Sequence, residues 1–325
     1  MKIKLQPGGD DLVKNRLLSY LNSQLPLKIS DVIPIRDHVF LVRTARMYFI
    51  LKSFESLYRL NLQKAYTASL RKAGFKHSYS FCPFDAKPLY FKNNFYGCLE
   101  YITPHRASFT FHTERDRREG LELLKQYHSV SSTLTNSYSS LLPKANLLQK
   151  WEDRLALFSS NLKIVNSFVQ VSMTHEIISW ANYAMEGLKA ELNEKDPPVI
   201  LHGDVAHHNF IRAYNGQLYL IDFDLISMGP RSFDYLQYAN RILPFIDWSL
   251  EGLSELQTLE GFLKDKAFLY GLVFPADILR EWNRIIRENS RLSSSYVNQV
   301  VQLTAVQFQE RKAFIKKLKD KIDQQ

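Results

Sequence analysis

Cysteine is nearly absent from this sequence. The 325 residues include two, Cys82 and Cys98, which are too few for a disulfide framework. They also lack the paired spacing of a structural zinc site. We therefore expect both to be small core residues, in a protein compatible with a reducing compartment.

Long uninterrupted hydrophobic runs are also missing. No apolar stretch approaches the roughly 18 residues that cross a bilayer. Charged and polar residues interrupt the start of the chain, MKIKLQPGGDDLVKNRLL, where a secretory signal would need an apolar core. The expectation is a protein with no membrane partner, located by default in the cytoplasm.

The composition excludes a disordered chain, since hydrophobic residues make up 45% and aromatic residues 13%. The length allows two lobes, each with its own core. The net charge of +9 favours anionic partners. The densest run of lysines, at 316–321, alternates with apolar residues in the pattern of an ordinary amphipathic helix. No motif of a nucleic-acid-binding domain accompanies it, so no nucleic-acid partner is predicted.

The first third of the chain has the pattern of a small sheet with helices. A helix at 10–24 precedes three strand-like stretches, DVIPI, VFLVRT and MYFILKSF. A helical block at 56–73 follows and ends at Gly74. PLYFKN and FYGCLEYI then predict a hairpin around Asn93 and Asn94, so residues 31–102 should form an antiparallel sheet with one helix.

From about residue 114 the pattern is mostly helical, with a serine-rich connector at 129–140 and an amphipathic helix at 175–193. One β segment interrupts it. VILHGD and NFIRAYNGQLYLIDFD include Asn215-Gly216 between alternating apolar residues, which predicts a two-residue hairpin. The whole pattern predicts an α+β protein with a small antiparallel-sheet lobe and a larger, mostly helical lobe.

The segment 202–224 carries the most specific chemical pattern. It reads HGDVAHHN, a hairpin and then IDFD; Asp204 lies five residues before Asn209, and Asp222 thirteen residues after it. This order and spacing match the catalytic loop and metal-binding aspartate of protein-kinase-like enzymes. The alternative is a surface turn with coincidental spacing. The argument against this alternative is that four residues, in the order His, Asp, Asn and Asp, fit the kinase pattern together beside a predicted hairpin.

HGDVAHHN with YLIDFD resembles the aminoglycoside phosphotransferase and choline kinase superfamily, whose loop has the form H-x-D-x-x-x-x-N. The resemblance implies a bilobal protein-kinase-like fold, with a nucleotide-binding lobe at 1–98, a hinge at 99–104 and a helical lobe with the catalytic loop and acceptor site at 105–325. DRREGLELLKQYHSVS and LYLIDFDLISMGPRSFDYLQYANRIL also resemble the CotS-like branch, bacterial spore-coat proteins with this fold.

Phosphoryl transfer requires alignment of a hydroxyl with the γ-phosphate and neutralisation of developing charge. Asp204 is the candidate catalytic base for that hydroxyl. Asn209 and Asp222 offer hard oxygen ligands suited to Mg²⁺. The resemblance implies supporting positions around them for His202, Asp224 and Asp234.

The first lobe should bind the rest of an ATP molecule. Lys52 lies near the end of the strand MYFILKSF, where similar enzymes place the lysine that binds the α- and β-phosphates. Alone, a strand lysine is more often solvated, so this assignment depends on the later motif. YGCLEYI resembles the linker strand whose backbone contacts adenine, which makes Glu100, Tyr101 and Ile102 candidate nucleotide contacts.

Two features depart from the kinase pattern. Between the first two strands the chain has Ile35-Arg36-Asp37-His38 and no glycine, whereas kinases have a glycine-rich phosphate cover there. The helix at 56–73 has no glutamate to pair with the strand lysine, and Gln63 is the nearest polar candidate. Both departures weaken the expectation of activity more than that of fold.

The leading hypothesis is an ATP- and Mg²⁺-dependent phosphotransferase that acts on a hydroxyl of an unidentified small molecule. The alternative is a catalytically weak or inactive kinase-fold protein of the spore coat, with other coat proteins as partners. A protein-serine kinase is disfavoured because no activation-segment motif follows Asp224. His207 and His208 are interpreted as loop structure or as lining of the acceptor site, since no matching ligands complete a zinc site.

Overall fold

The computed structural model describes residues 10–84, 88–191, 196–288 and 293–325. The chain folds into two compact units. The N-terminal unit comprises Met1–Ser108 with Phe210–Asp224, and the C-terminal unit comprises Phe109–Asn209 with Leu225–Gln325. The hairpin that interrupts the helical half of the sequence thus groups with the N-terminal unit.

The N-terminal unit has a five-stranded antiparallel sheet with strand order β1-β2-β3-β5-β4 and a separate hairpin, β7–β8. The predicted strands and helices of this region are confirmed. Numbered along the chain, its elements are α1 Asp10–Gln24, β1 Ile29–Arg36, β2 Val39–Thr44, β3 Tyr48–Phe54, α2 Leu57–Lys72, β4 Leu89–Phe91, β5 Asn94–Glu100, β7 Phe210–Arg212 and β8 Leu218–Leu220.

Successive side chains of β3 point to opposite faces of this sheet, and both faces hold buried residues of the strand. Phe49 and Leu51 are fully buried in a cluster that also holds Leu17 and Leu21 of α1. Gly97 of β5 lies opposite Lys52, and a Cβ there would come within 2.8 Å of the Leu60 side chain of α2. Glycine therefore permits the close approach of α2 to the sheet on the side of Lys52, the predicted phosphate contact.

Both cysteines lie buried in this unit, which confirms their assignment to the core. Cys98 is on β5, and its carbonyl accepts a 2.8 Å hydrogen bond from the backbone N–H of Cys82. They therefore contribute small apolar side chains beside the sheet.

The β7–β8 hairpin differs in its loop from the prediction. The N–H of Ala213 donates to the carbonyl of Gln217 at 2.8 Å, which leaves a three-residue loop at 214–216. The Asn215 side chain accepts from the N–H of Gln217, and Gly216 alone has a positive φ, 82°. A two-residue type I′ turn needs positive φ at both central residues, so the asparagine side chain here favours the longer loop.

The C-terminal unit is mostly helical, with a short antiparallel pair, β6 and β9. Its elements are α3 Glu114–Ser131, α4 Thr135–Tyr138, α5 Leu147–Ser160, α6 Leu162–Asn166, α7 Val171–Glu191, β6 Val199–Leu201, β9 Ser227–Gly229, α8 Ser232–Ile242, α9 Leu250–Ser254, α10 Lys266–Val273, α11 Ala276–Glu288, α12 Ser294–Ala305 and α13 Phe308–Asp323. Within the described ranges, every helix is too short or too polar to cross a bilayer.

The predicted serine-rich connector is largely helical, so that prediction was wrong. Helix α3 continues to Ser131, and α4 begins at Thr135. The hydroxyls of Ser132, Thr133 and Thr135 donate to backbone carbonyls three residues earlier. Because these side chains satisfy the local carbonyls, the chain keeps helical turns where its composition indicates a loop.

Candidate active site

The predicted catalytic loop follows β6 in the C-terminal unit and begins with a constrained glycine. Gly203 has φ of 79°, and a Cβ at this position would lie 2.3 Å from the backbone oxygen of Leu225. A side chain would meet both conformational strain and a collision with backbone. The glycine of the His-Gly-Asp sequence therefore permits the turn that places Asp204 after the strand.

Asp234, on the first turn of α8, binds this loop through both carboxylate oxygens. Oδ2 accepts from the backbone N–H of His202 at 2.7 Å and lies 2.9 Å from Nε2 of His128, while Oδ1 accepts from the N–H of Gly203 at 3.0 Å. Burial alone would raise the pKa of Asp234, but hydrogen bonding and charge from His128, with His202, lower it. The buried carboxylate therefore remains ionised and fixes the loop.

Asp204 is held on two sides and is still partly exposed. Arg241 Nη2 donates to Oδ1 at 2.7 Å, and Asn209 Nδ2 donates to Oδ2 at 3.1 Å and to the backbone oxygen of Asp204 at 2.8 Å. The side chain keeps 29% of its surface accessible. The backbone N–H of Asp204 also donates to Nδ1 of His202, at 3.3 Å, so His202 lies beneath the loop.

Helix α8 contributes two loop contacts that motif reasoning missed. Gln237 accepts from the N–H of Val205 at 2.6 Å and donates to the carbonyl of Gly203 at 3.1 Å. Arg241 pairs with Asp204 one turn further on. Asp234, Gln237 and Arg241 are spaced i, i+3 and i+7, a polar row on one helix face, and this periodicity is the signal in the sequence that could have identified them.

Asn209 has a side-chain oxygen suited to a metal ligand. The side chain is 1% exposed, its Nδ2 is used on Asp204, and its Oδ1 has no hydrogen-bond partner within the described ranges. The described residues hold no group of three or more His, Cys, Asp or Glu placed for a metal ion. A buried, unpaired amide oxygen fits Mg²⁺, which usually takes one or two protein ligands together with substrate phosphates.

In the N-terminal unit, Lys52 lies between two carboxylates. It is 7% exposed, and its Nζ lies 2.7 Å from Asp222 Oδ1 and 2.8 Å from Asp224 Oδ2. Gln63 of α2 donates to Asp224 and accepts from the Tyr79 hydroxyl at 2.9 Å. Asp224 thus provides the carboxylate that α2 lacks, and Gln63 links that carboxylate to the helix.

Arg36, at the end of β1, contacts Asp222 where kinases would have their phosphate cover. Its Nη2 lies 2.7 Å from Asp222 Oδ2, and the side chain is 48% exposed. Asp222 also has a left-handed backbone, with φ of 70°. Burial would raise the pKa of Asp222, but Lys52 and Arg36 together hold it well below its usual range.

The predicted hinge residues lie at the end of β5 in the N-terminal unit. The N–H of Glu100 donates to the carbonyl of Ser80 at 2.8 Å, and its carboxylate accepts from the Ser80 hydroxyl at the same distance. The ring of Tyr101 lies 5.9 Å from that of Tyr48. Glu100 is exposed, and Tyr101 and Ile102 are half-buried. Adenine contact by these residues stays a prediction.

The C-terminal unit contains a cavity of about 920 Å³ beside the loop. Its walls come from Gly203, His207 and His208 of the loop and from helices α5, α8, α11 and α12. His207 and His208 line it; their assignment to an acceptor site stays a prediction. Desolvation, with the charges of Arg241 and His112, lowers the pKa of His207. The His207 ring is therefore neutral at pH 7 and adds no charge to the cavity lining.

Comparison with known proteins agrees with this architecture. Residues 110–267 match the profile of the phosphotransferase enzyme family (APH). An aminoglycoside phosphotransferase from Alicyclobacillus acidocaldarius aligns over 100% of this chain and 98% of its own, with a TM-score of 0.70 and 15% identity.

Two further solved structures align over most of both chains. A spectinomycin phosphotransferase in complex with ADP and spectinomycin covers 96% of this chain and 95% of its own (TM-score 0.58, 15% identity). The choline kinase LicA from Streptococcus pneumoniae covers 92% and 98% (TM-score 0.53, 16% identity). The chain therefore has a kinase-like fold, with an antiparallel N-terminal sheet and a mostly helical C-terminal part.

Proposed function

We propose that this protein is an ATP- and Mg²⁺-dependent phosphotransferase that moves the γ-phosphate to a hydroxyl of a small molecule. One observation carries the proposal: Asp204, held by Arg241 and Asn209, lies in a loop bordering a cavity of about 920 Å³. That volume suits a small ligand. The match at 110–267 to a phosphotransferase family supports it and includes Asp204, Asn209 and Asp222.

Asp204 is the proposed base for the acceptor hydroxyl. Because Arg241 binds Oδ1, the carboxylate orientation is fixed and Oδ2 can accept the hydroxyl hydrogen bond. Asn209 restrains the same carboxylate through Nδ2. The side chain thereby aligns the attacking oxygen and takes its proton as the new P–O bond forms and the bond from the γ-phosphorus to the bridging oxygen breaks, with ADP as the leaving group.

Asn209 Oδ1 and the Asp222 carboxylate are the proposed holders of Mg²⁺, which when bound neutralises charge on the phosphate oxygens. Lys52 is the proposed contact of the α- and β-phosphates. Asp224 pairs with Lys52 independently of Asp222, so the lysine keeps a carboxylate partner when Asp222 binds a metal. Glu100, Tyr101 and Ile102 are the proposed adenine contacts.

Calorimetric titration of ATP with and without Mg²⁺ tests the nucleotide site. We expect wild-type binding to depend on Mg²⁺, and Asp222→Asn to weaken that binding tenfold or more, because a charged oxygen ligand is lost. Glu55→Gln is the matched control, since Glu55 is an exposed carboxylate of the same unit (side chain 85% exposed) and should leave binding unchanged. Absence of Mg²⁺-dependent binding in the wild type would reject the proposal.

A second candidate is a non-catalytic kinase-fold protein, for which the CotS-like resemblance suggests spore-coat partners. The Arg36–Asp222 ion pair favours it, because a guanidinium occupies a carboxylate oxygen needed for metal. Arg36→Ala separates the two candidates. For a phosphotransferase, wild type and Arg36→Ala both bind ATP with Mg²⁺; for the second candidate, the wild type binds none and Arg36→Ala gains binding.

A further inference from the structure

The cavity beside the catalytic loop has an excess of basic side chains. Its lining contains three carboxylates, from Asp234, Asp277 and Glu281. It contains five cations, from Lys150, Arg154, Arg241, Arg280 and Arg284. What a ligand would meet depends on which of these charges are already paired.

All three carboxylates are engaged within the protein. Asp234 binds the loop and His128, as described above. Asp277 accepts two hydrogen bonds from Arg311, at 2.8 and 2.7 Å. Glu281 pairs with Arg280 at 2.7 Å and accepts from the Tyr296 hydroxyl. None of them has an unused charge to offer a cationic ligand.

Two of the cations have no such partner. Lys150 and Arg154 lie one turn apart on α5, and no carboxylate within the described ranges forms an ion pair with either. Desolvation, with repulsion from Arg280, Arg287 and Arg241, lowers the pKa of Arg154 to about 10. The guanidinium nevertheless remains charged at neutral pH, so the wall presents uncompensated positive charge.

Arg241 adds to the lining of this cavity a hydrogen-bond donor that has no acceptor among the described residues. Its Nη2 binds Asp204, but its Nε is buried and has no acceptor within the described part of the chain. A buried donor without an acceptor is unfavourable, and a ligand oxygen that accepts from it would remove this cost. The donor without an acceptor and the two unpaired cations therefore line one cavity, and Arg241 is close enough to Lys150 and Arg154 to repel both.

We infer that the acceptor molecule carries a carboxylate or phosphate group in addition to its hydroxyl. The anion binds the Lys150 ammonium group and the Arg154 guanidinium group; both give strong charge-assisted hydrogen bonds, and those of the guanidinium group are also oriented. The hydroxyl then lies at Asp204. This inference rests on the proposed function and narrows it, because a cationic acceptor would meet repulsion from unpaired charges on this wall.

Titration with inorganic phosphate at low ionic strength, in the absence of nucleotide, tests the anion site directly. We expect Arg154→Gln and Lys150→Gln each to weaken phosphate binding fivefold or more. Lys163→Gln, an exposed lysine of α6 outside the cavity lining, is the matched control and should have no effect. Lys52→Gln shows whether the phosphate occupies the proposed nucleotide site instead; an effect there alone overturns the inference.

Acceptor selection provides the second measurement. With ATP and Mg²⁺ present, glycerol 3-phosphate and glycerate should accelerate ATP turnover more than glycerol or choline, and Arg154→Gln should abolish the difference by raising KM. If ATP turns over but only neutral or cationic alcohols accelerate it, the inference fails and the proposed function stands. If the wild type shows no Mg²⁺-dependent ATP binding, the proposed function fails whatever the phosphate titration gives.

Discussion

The interactions of Asp234 show how one buried carboxylate determines the conformation of a catalytic loop. Its oxygens accept hydrogen bonds from two successive backbone N–H groups, those of His202 and Gly203, and contact the His128 ring. Removal of the charge would leave buried donors without an ionic acceptor. The loop conformation that presents Asp204 therefore depends on a residue thirty positions further along the chain.

Asp234→Asn should lower the free energy of unfolding at pH 7 by roughly 3 kcal/mol, since it removes a buried carboxylate that accepts hydrogen bonds from two backbone N–H groups and contacts His128. The pKa of Asp234 is lowered in the folded protein, so its stabilisation is complete above the unfolded value of about 3.9 and is lost as the pH falls through the folded value. Urea denaturation at pH 7 and at decreasing pH measures the difference, which should shrink below about pH 4.

Asp320→Asn is the control for this substitution, because Asp320 is exposed on α13 and should change stability by less than about 0.5 kcal/mol. An Asp234→Asn protein as stable as the wild type at pH 7 would contradict the assigned role of the carboxylate.

Site residues close together in the sequence were predictable, and those brought together by folding were not. Asp204, Asn209 and Asp222 follow a spacing that can be read along the chain. Arg36 lies 186 residues from its partner Asp222, and no local pattern relates them. Arg241 lies 37 residues from Asp204, and only the polar periodicity of its helix indicates its position. The spacing of the motif alone therefore could not predict which charged side chains contact Asp204 and Asp222.

Among the helices, α11 and α13 are joined by a bidentate ion pair that fixes one wall of the cavity. Arg311 is 3% exposed, donates twice to Asp277 and lies 4.0 Å from the ring centroid of Trp248. Burial would raise the pKa of Asp277, but Arg311 lowers it. Both carboxylate oxygens of Asp277 are therefore occupied by hydrogen bonds from Arg311.

Arg311→Ala should destabilise the protein by roughly 3 kcal/mol, because it leaves a partly buried carboxylate unpaired and removes packing on Trp248. The double variant Arg311→Ala with Asp277→Ala should recover part of the loss. Thermal or urea unfolding measures both. Lys317→Ala, which removes an exposed pair with Glu251, is the control; an equal effect there would argue against the ion pair as the cause.

Helices and strands were predicted correctly where a hydrophobic pattern continues over many residues. The prediction failed where polar side chains form hydrogen bonds with the nearby backbone. The five-stranded sheet and helix α7 follow the expected patterns, and Ile177, Ala181 and Leu188 are buried on one face of α7. The serine-rich segment and the loop at Asn215 were wrong in detail. In both places a polar side chain binds nearby backbone and changes the local geometry, which composition does not reveal.

For the whole molecule, the sequence predicted the fold class but not how the chain is divided between the two compact units. The segment Phe210–Asp224, which contains the β7–β8 hairpin, belongs to the N-terminal unit although the chain directly before and after it belongs to the C-terminal unit. Asn209 and Phe210, neighbours in sequence, thus belong to different units. Part of the net charge of +9 lies in the cavity lining, where Lys150 and Arg154 have no ion-pair partner among the described residues.

Formation of ADP from ATP in the presence of Mg²⁺, compared between the wild type and Asp204→Asn, tests the central claim most directly. We predict slow turnover by the wild type, accelerated by an acceptor alcohol. Asp204→Asn should bind ATP with unchanged affinity and lose at least tenfold in rate, because the amide cannot take the hydroxyl proton. Equal rates for the two proteins, or no turnover above the background rate with any acceptor, would contradict a phosphotransferase that uses Asp204.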